Sequence, residues 1–193
     1  MLAAGGSSRL GRPKQLVRRG NKTLLQNTLD SAFNAGVDDV IVVLGANKDL
    51  ISNSIKEYPV QTVINENWAT GLSSSIKKGI EAFENRDTQP GAILIMLSDQ
   101  PHVSKTLVSE LINWHQYSSK EIIASQYKGI IGVPAIFPVI YFKELKMLSG
   151  DKGARKLLMK QAQNVKTVTF AKGHIDIDTP ADLENYLKNK NTE

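Results

Sequence analysis

Short apolar runs alternate with helical patterns along the chain, and this alternation constrains the fold more than any other feature. Six runs rich in valine and isoleucine have the length of buried strands: residues 40–44, 60–64, 92–97, 122–124, 133–137 and 165–170. Six stretches around them repeat their apolar residues with helical spacing: 24–35, 50–56, 72–83, 105–117, 152–160 and 181–188. We predict an α/β, three-layer Rossmann-like fold with a mostly parallel central sheet and ligands at the carboxyl ends of the strands.

The length of 193 residues fits one such domain, so residues 1–193 are expected to form a single domain. Only Met1, Leu2 and Ala3 precede a glycine-rich turn that normally follows a complete strand. The first strand is therefore expected either to be unusually short or to begin upstream of Met1.

Composition restricts the compartment and the chemistry. No apolar run approaches the roughly 20 residues of a membrane helix, and residues 1–6 lack the basic start and apolar core of a secretory signal. We expect a soluble, cytoplasmic protein with no membrane partner. The chain has no cysteine, so a metal would be bound by oxygen or histidine ligands, which favours Mg²⁺.

Cations are concentrated at the start of the chain. The first acidic residue is Asp30, and six cations precede it: Arg9, Arg12, Lys14, Arg18, Arg19 and Lys22. Beside a glycine-rich turn, such a cluster suits a compact polyphosphate at least as well as a nucleic-acid backbone. Since the chain has neither zinc-finger spacing nor a basic stripe interleaved with aromatic residues, we expect no nucleic-acid partner. The alternative is a solvated basic face.

The segment 2–14 (LAAGGSSRLGRPK), the first loop of the chain, has the properties of a phosphate-binding loop. Glycines let backbone N–H groups approach phosphate oxygens, and Arg9 and Lys14 could neutralise charge on a leaving pyrophosphate. A Walker loop would need Lys and Ser or Thr after Gly11, where the chain has Arg12 and Pro13, and no G-x-G-x-x-G fingerprint occurs. The alternative is a tight glycine turn without a ligand.

Two acidic segments could supply metal ligands. Asp99 follows the apolar run 92–96, and a carboxylate at the carboxyl end of a strand is a natural ligand for Mg²⁺. Asp176 and Asp178 alternate with isoleucine, so both lie on one side of an extended segment. Helix capping is the alternative for Asp99 and Asp178, but it does not account for Asp176.

A polar loop, residues 65–75 (NENWATGLSSS), leads into a predicted helix. Its amides and hydroxyls could bind a base edge or a ribose. A serine-rich helix start is the alternative.

Together these segments resemble the molybdenum cofactor cytidylyltransferase branch of the molybdopterin nucleotidyltransferase family, which has a GT-A-like NTP transferase fold. The signature L-A-A-G-x-x-x-R-x-G-x-x-K, the D-Q-P element at Asp99, the D-I-D-T-P-x-D-L element from Asp176 and the G-x-S-S-S stretch from Gly71 are all present. The resemblance spans nearly the whole chain and implies a single nucleotidyltransferase domain.

The resemblance also implies roles for individual residues. Arg9 and Lys14 would be the catalytic cations, and Asp99 and Asp178 would bind Mg²⁺. The acceptor would lie near Gly132, Pro134 and Asp176. The nucleotide would be bound by residues from the first loop and the polar loop: Ala3, Ala4, Gly5, Gly6, Gly11, Asn65, Gly71, Ser73 and Ser75.

The implied reaction transfers CMP from CTP to molybdopterin-bound molybdenum cofactor, giving the cytosine dinucleotide cofactor and pyrophosphate. Guanylyltransferase relatives tend to carry glycine at the position of Ala4, which favours CTP over GTP. A molybdenum hydroxylase would be the downstream partner. The alternatives are an NTP transferase with another acceptor (GTP-dependent on molybdopterin, or a sugar or alcohol phosphate), and a non-catalytic molybdenum cofactor carrier. A weaker one is a nucleotide-sensing module.

Overall fold

A computed structural model describes residues 1–37, 39–87 and 89–188. The strands are β1 (Leu2–Ala3), β2 (Arg18–Arg19), β3 (Lys22–Thr23), β4 (Ile41–Leu44), β5 (Gln61–Ile64), β6 (Ala92–Ile95), β7 (Ile122–Tyr127), β8 (Ile130–Pro138) and β9 (Val165–Thr169). The α-helices are α1 (Leu24–Asn34), α2 (Lys48–Ser54), α3 (Leu72–Glu84), α4 (Lys105–Tyr117), α5 (Phe142–Lys146), α6 (Arg155–Lys160) and α7 (Pro180–Lys188).

The central sheet has the strand order β5-β4-β1-β6-β8-β7-β9. Leu2 joins its two halves, because its N–H donates to Met96 O at 2.9 Å and its carbonyl accepts from Ser98 N at 3.2 Å. β8 is antiparallel to both of its neighbours, and the other strands run parallel to one another. The predicted mostly parallel α/β sheet is confirmed, and the carboxyl ends of β5, β4, β1 and β6 lie along one edge.

Helices cover both faces of the sheet, and alternate residues of a central strand such as β4 point to opposite sides. Ile41 and Val43 pack in one apolar cluster with residues of α3, α5 and α6. Val42 and Leu44 pack in another cluster with residues of α1 and α2, and α4 packs on the same side further along the sheet. This arrangement gives the three layers predicted from the near-continuous apolar runs.

Three features depart from the predicted pattern. A two-stranded hairpin, β2–β3, lies between the first loop and α1. The run predicted at 133–137 is the end of a longer antiparallel strand that starts at Ile130. The short helix α5 occupies a segment without a predicted element. The strand β1 has two described residues.

Among the described residues, the longest helices are α3 and α4, with 13 residues each. Over the described ranges, none of the helices combines the length and the apolarity that crossing a membrane requires.

Candidate active site

The first loop leaves β1 and folds back on Ser7. The backbone N–H groups of Leu10 and Gly11 both donate to Ser7 O at 3.1 Å, and Lys14 N donates to Ser7 Oγ at 3.0 Å. Ser7 has a φ of 53°, in the left-handed region, which fits a turn of this tightness. The turn therefore fixes where Lys14 leaves the loop.

Gln15 holds the base of the first loop, a role that the sequence did not indicate. Its side chain is 1% exposed, and Nε2 donates to Ala3 O and Gly5 O, both at 3.0 Å. One amide thus ties together the two carbonyls on either side of Ala4. The only sequence signal is a glutamine directly after Lys14, which does not reveal a partner ten residues upstream.

Lys14 lies at the centre of a group of charged side chains. Its ammonium contacts the carboxylate of Asp99 and lies 3.0 Å from Asp178 Oδ1, while Arg9 donates to Asp178 Oδ2 at 2.9 Å. Burial lowers the pKa of Lys14, but attraction to Asp99 and Asp178 outweighs it, so the pKa is raised above its ordinary value. Residues predicted from three separate motifs therefore meet at one point.

The segment that carries Asp178 is positioned by its neighbours. Ile177 is fully buried in a cluster with residues of the first loop and α7, and its N–H donates to Asp99 O at 3.4 Å. Thr179 and Asp182 cap α7 reciprocally, with Thr179 N donating to Asp182 Oδ2 at 2.8 Å and Asp182 N to Thr179 Oγ1 at 3.2 Å. Capping therefore uses Thr179 and Asp182, and the side chain of Asp178 faces the cations.

Asp176 adds a third carboxylate beside the pair. Part of the residue is open to solvent, but its pKa is raised to about 6. The larger cause is desolvation of the carboxyl, and the smaller cause is repulsion from Asp99 and Asp178. Three carboxylates that repel one another therefore lie close together at this edge of the sheet.

These residues line one cleft of about 690 Å³ at the carboxyl edge of the sheet. Ten of the predicted site residues line it: Ala4, Gly5, Gly6, Arg9, Lys14, Gly71, Ser75, Asp99, Asp176 and Asp178. Trp68, Leu72 and Asp151 also line it, and the sequence did not single them out.

The other predicted residues surround the cleft without lining it. Ala3 is buried in β1, and Gly11 lies in the first loop with a φ of 73°. Asn65 is buried, and its Nδ2 donates to Ser74 Oγ at 2.8 Å and to Ser75 Oγ at 3.0 Å. Ser73 is buried and lines a neighbouring cleft on the outer side of α3. Asn65 is thus a support for Ser75 in the ligand-free arrangement.

Gly132 and Pro134 lie in β8, next to the Asp99 segment. Gln100 Nε2 donates to Val133 O at 3.2 Å and so links the two segments. A β-carbon placed on Gly132 would lie 2.5 Å from the hydroxyl of Tyr127, so the absence of a side chain there makes room for that ring. This side of the site lies across β6 from the first loop.

Only part of the basic cluster reaches the cleft. Arg9 and Lys14 line it, whereas Arg18, Arg19 and Lys22 belong to the β2–β3 hairpin. Arg19 lies over the ring of Tyr186, and Lys22 pairs with Asp30 at 2.6 Å. The charge available to a ligand in the cleft is therefore smaller than the sequence cluster indicates.

The donor set suits a hard divalent cation. Asp99 and Asp178 already converge on one ammonium group, and oxygen ligands are those that Mg²⁺ prefers. Within residues 1–37, 39–87 and 89–188 no group of three acidic, histidine or cysteine side chains is arranged to hold a metal alone. Two carboxylates completed by substrate phosphates are a common Mg²⁺ environment.

Residues 1–165 match the family profile of the MobA-like NTP transferase domain. The chain is 30% identical over 171 residues to nicotine blue oxidoreductase of Paenarthrobacter nicotinovorans, covering 83% of this chain and 80% of that protein. It is 28% identical over 197 residues to the purine catabolism protein PucB of Bacillus subtilis strain 168, covering 95% and 92%.

Among solved structures, Rv0371c of Mycobacterium tuberculosis superposes with a TM-score of 0.82 and 32% identity, covering 97% of this chain and 95% of that one. A structure of Rv0371c in complex with manganese gives a TM-score of 0.79 and 30% identity, with the same coverage.

Proposed function

Because the chain belongs to the MobA-like NTP transferase family and is a nucleotidyltransferase, we propose that it transfers CMP from CTP to molybdopterin-bound molybdenum cofactor. The products would be the cytosine dinucleotide cofactor and pyrophosphate. The observation that carries this proposal is the meeting of Lys14 with Asp99 and Asp178 on the floor of one cleft, beneath a glycine-rich loop. One relative is named an oxidoreductase, but the chain has no G-x-G-x-x-G fingerprint, so we propose nucleotidyl transfer.

The reaction needs no nucleophile from the protein. A phosphate oxygen of the acceptor forms a bond to the α-phosphorus of CTP while the bond from that phosphorus to the bridging oxygen breaks and pyrophosphate leaves. The Lys14 ammonium carries a positive charge, so it can offset negative charge on the leaving pyrophosphate. Arg9, with a side chain 73% exposed, can follow the leaving group.

Asp99 and Asp178 are the residues that would hold Mg²⁺. When bound, the ion would offset triphosphate charge and favour attack at the α-phosphorus. Both carboxylates are paired with Lys14 in the ligand-free arrangement, so if they held a cation, the triphosphate oxygens would be the new partners of Lys14. We propose that this exchange of partners accompanies substrate binding.

Base choice is assigned to the side of the cleft formed by Ala4, Gly71 and Ser75. The methyl group of Ala4 reduces the space beside the first loop, which favours a pyrimidine over a purine. Asn65 already donates to Ser75 Oγ, so the Ser75 hydroxyl is free to donate to an acceptor atom of the base. A steric difference of one methyl group produces a preference for CTP over GTP.

The acceptor is assigned to the opposite side, near Gly132, Pro134 and Asp176. A molybdenum hydroxylase that takes up the product is the partner proposed for the next step.

The proposal is tested by pyrophosphate release from CTP with purified protein, Mg²⁺ and molybdenum-loaded molybdopterin. Asp99→Asn and Asp178→Asn should each lower turnover at least about tenfold, roughly 1.4 kcal/mol of barrier. Asp39→Asn is the matched control, because Asp39 pairs with Arg86 outside the cleft. Turnover at the wild-type level in both cleft variants would show that the metal site lies elsewhere.

A further inference from the structure

Trp68 is the one aromatic residue among the described residues that line the cleft. It begins a short 3-10 helix, Trp68–Thr70, between β5 and α3. Its N–H donates to Asn65 O and its carbonyl accepts from Gly71 N, both at 3.3 Å, so its backbone is fixed at both ends. The residue remains 37% exposed, and it lines the cleft.

Two glycines from different loops make room for the indole. A β-carbon on Gly45 would lie 2.6 Å from Trp68 Cβ and 2.7 Å from Trp68 Cγ. A β-carbon on Gly6 would lie 3.1 Å from Cζ3 and 3.2 Å from Cη2 at the far edge of the ring. The ring therefore rests across the loop after β4 and the first loop, and its position does not depend on a flexible side chain beneath it.

The strand order shows which part of a ligand this ring would meet. Trp68 follows β5, the first loop follows β1, Asp99 follows β6, and Gly132 lies in β8. Along the edge of the sheet the order is therefore β5, β4, β1, β6, β8. The side of the cleft proposed above for the base contains Gly71 and Ser75, which follow β5 as Trp68 does, so the base would lie near this ring.

We propose that Trp68 stacks on the nucleobase of the bound nucleoside triphosphate and supplies most of the base-dependent affinity. This inference rests on the proposed nucleotide binding in the same cleft. Every base has a π-face, so stacking strengthens CTP and GTP binding alike and is independent of the choice between them. The acceptor lies beyond the first loop and does not contact the ring.

Fluorescence isolates this contact because the chain has two tryptophans. Trp114 lies on α4 with Lys166 over its ring and does not line the cleft, so Trp114→Phe leaves Trp68 as the reporter. In this variant, CTP with Mg²⁺ and no acceptor should quench the emission saturably. GTP should do the same at its own saturating concentration, whereas tripolyphosphate with Mg²⁺ should bind without comparable quenching.

Calorimetry of Trp68 variants then separates stacking from folding. Trp68→Leu should weaken CTP and GTP binding about 5- to 150-fold, the range for loss of one base-stacking contact. Trp68→Phe, which keeps an aromatic face, should retain much of the affinity. Both variants should bind tripolyphosphate as the wild type does, which shows that the first loop is intact.

Three results would overturn the inference: equal quenching by CTP and tripolyphosphate, quenching that requires the molybdopterin acceptor, or equal loss of CTP and tripolyphosphate affinity in Trp68→Leu. Failure of the proposed function is separate from these. A protein that shows base-dependent quenching but transfers no CMP to molybdopterin would keep the stacking contact and lose the acceptor assignment.

Discussion

Replacing Gln15 by methionine tests how the first loop is held. Methionine has a similar length and volume, but it cannot donate to Ala3 O and Gly5 O as the Gln15 amide does at 3.0 Å. The side chain is 1% exposed, so water cannot replace the lost donor at Ala3 O without opening the loop. We expect a loss of stability together with weaker binding of the triphosphate.

The size of the loss follows from the contacts. Each hydrogen bond contributes about 1 kcal/mol net, so two contribute about 2 kcal/mol. Gln15 Oε1 is buried and has no hydrogen-bond partner among the described residues, and its removal returns part of that amount. Gln15→Met should therefore lower the free energy of unfolding by about 1 to 2 kcal/mol.

Gln15→Glu tests whether the buried site requires a hydrogen-bond donor. At pH 7 a carboxylate would face two carbonyl oxygens in a buried place, so this variant should be less stable than Gln15→Met. Burial in the folded chain disfavours ionisation of the new carboxyl, so its pKa is higher in the folded chain than in the unfolded chain. Between these two pKa values the folded chain therefore binds more protons than the unfolded chain. The stability deficit should therefore shrink as the pH falls from 7 towards 4.

The assay is urea unfolding at pH 7 and pH 5, with tripolyphosphate affinity measured by calorimetry on the same samples. Gln116→Met on the exposed side of α4 is the matched control and should change stability by less than about 0.5 kcal/mol. Wild-type stability in Gln15→Met, or a Gln15→Glu protein more stable than Gln15→Met at pH 7, would refute the reasoning.

Two further predictions concern the reaction itself. Lys14→Ala should lower the turnover number about 100-fold or more, with a smaller effect on CTP affinity. Arg9→Ala should lower the turnover number about tenfold, because the Arg9 side chain is 73% exposed. Steady-state kinetics measure both effects, and an unchanged turnover number with a raised Michaelis constant would show that the first loop binds without catalysing. Ala4→Gly should shift the ratio of guanine to cytosine products towards guanine by about tenfold; an unchanged ratio would remove Ala4 from base choice.

Sequence periodicity predicts the layers well where burial alone decides them. The helix Lys105–Tyr117 was predicted with its observed bounds, and Ser104 caps it through a hydrogen bond from Leu107 N at 3.3 Å. The direction of β8 was not predicted, because an apolar run reads the same in either direction. A local signal existed: Lys128 and Gly129, with φ values of 46° and 73°, make a two-residue hairpin turn between β7 and β8.

Some residues of the candidate site could likewise be predicted from the sequence, and others could not. Arg9, Lys14, Asp99 and Asp178 could be predicted because charged groups at strand ends converge on one edge of the sheet. Gln15 and Trp68 could not, because their roles depend on contacts across the fold, with Ala3 O in one case and with Gly6 and Gly45 in the other. A glutamine that supports a loop and a tryptophan that lines a cleft cannot be distinguished by residue type alone from residues of the buried core.

Product analysis in a single reaction tests the central claim most directly. Wild-type protein is incubated with Mg²⁺, molybdenum-loaded molybdopterin and equal concentrations of CTP and GTP, and the products are separated by chromatography and identified by mass. The account predicts the cytosine dinucleotide cofactor in excess, with one pyrophosphate released for each molecule formed. A guanine dinucleotide in excess would contradict the assignment of CTP, and the absence of any nucleotidylated pterin would contradict the assignment of the acceptor.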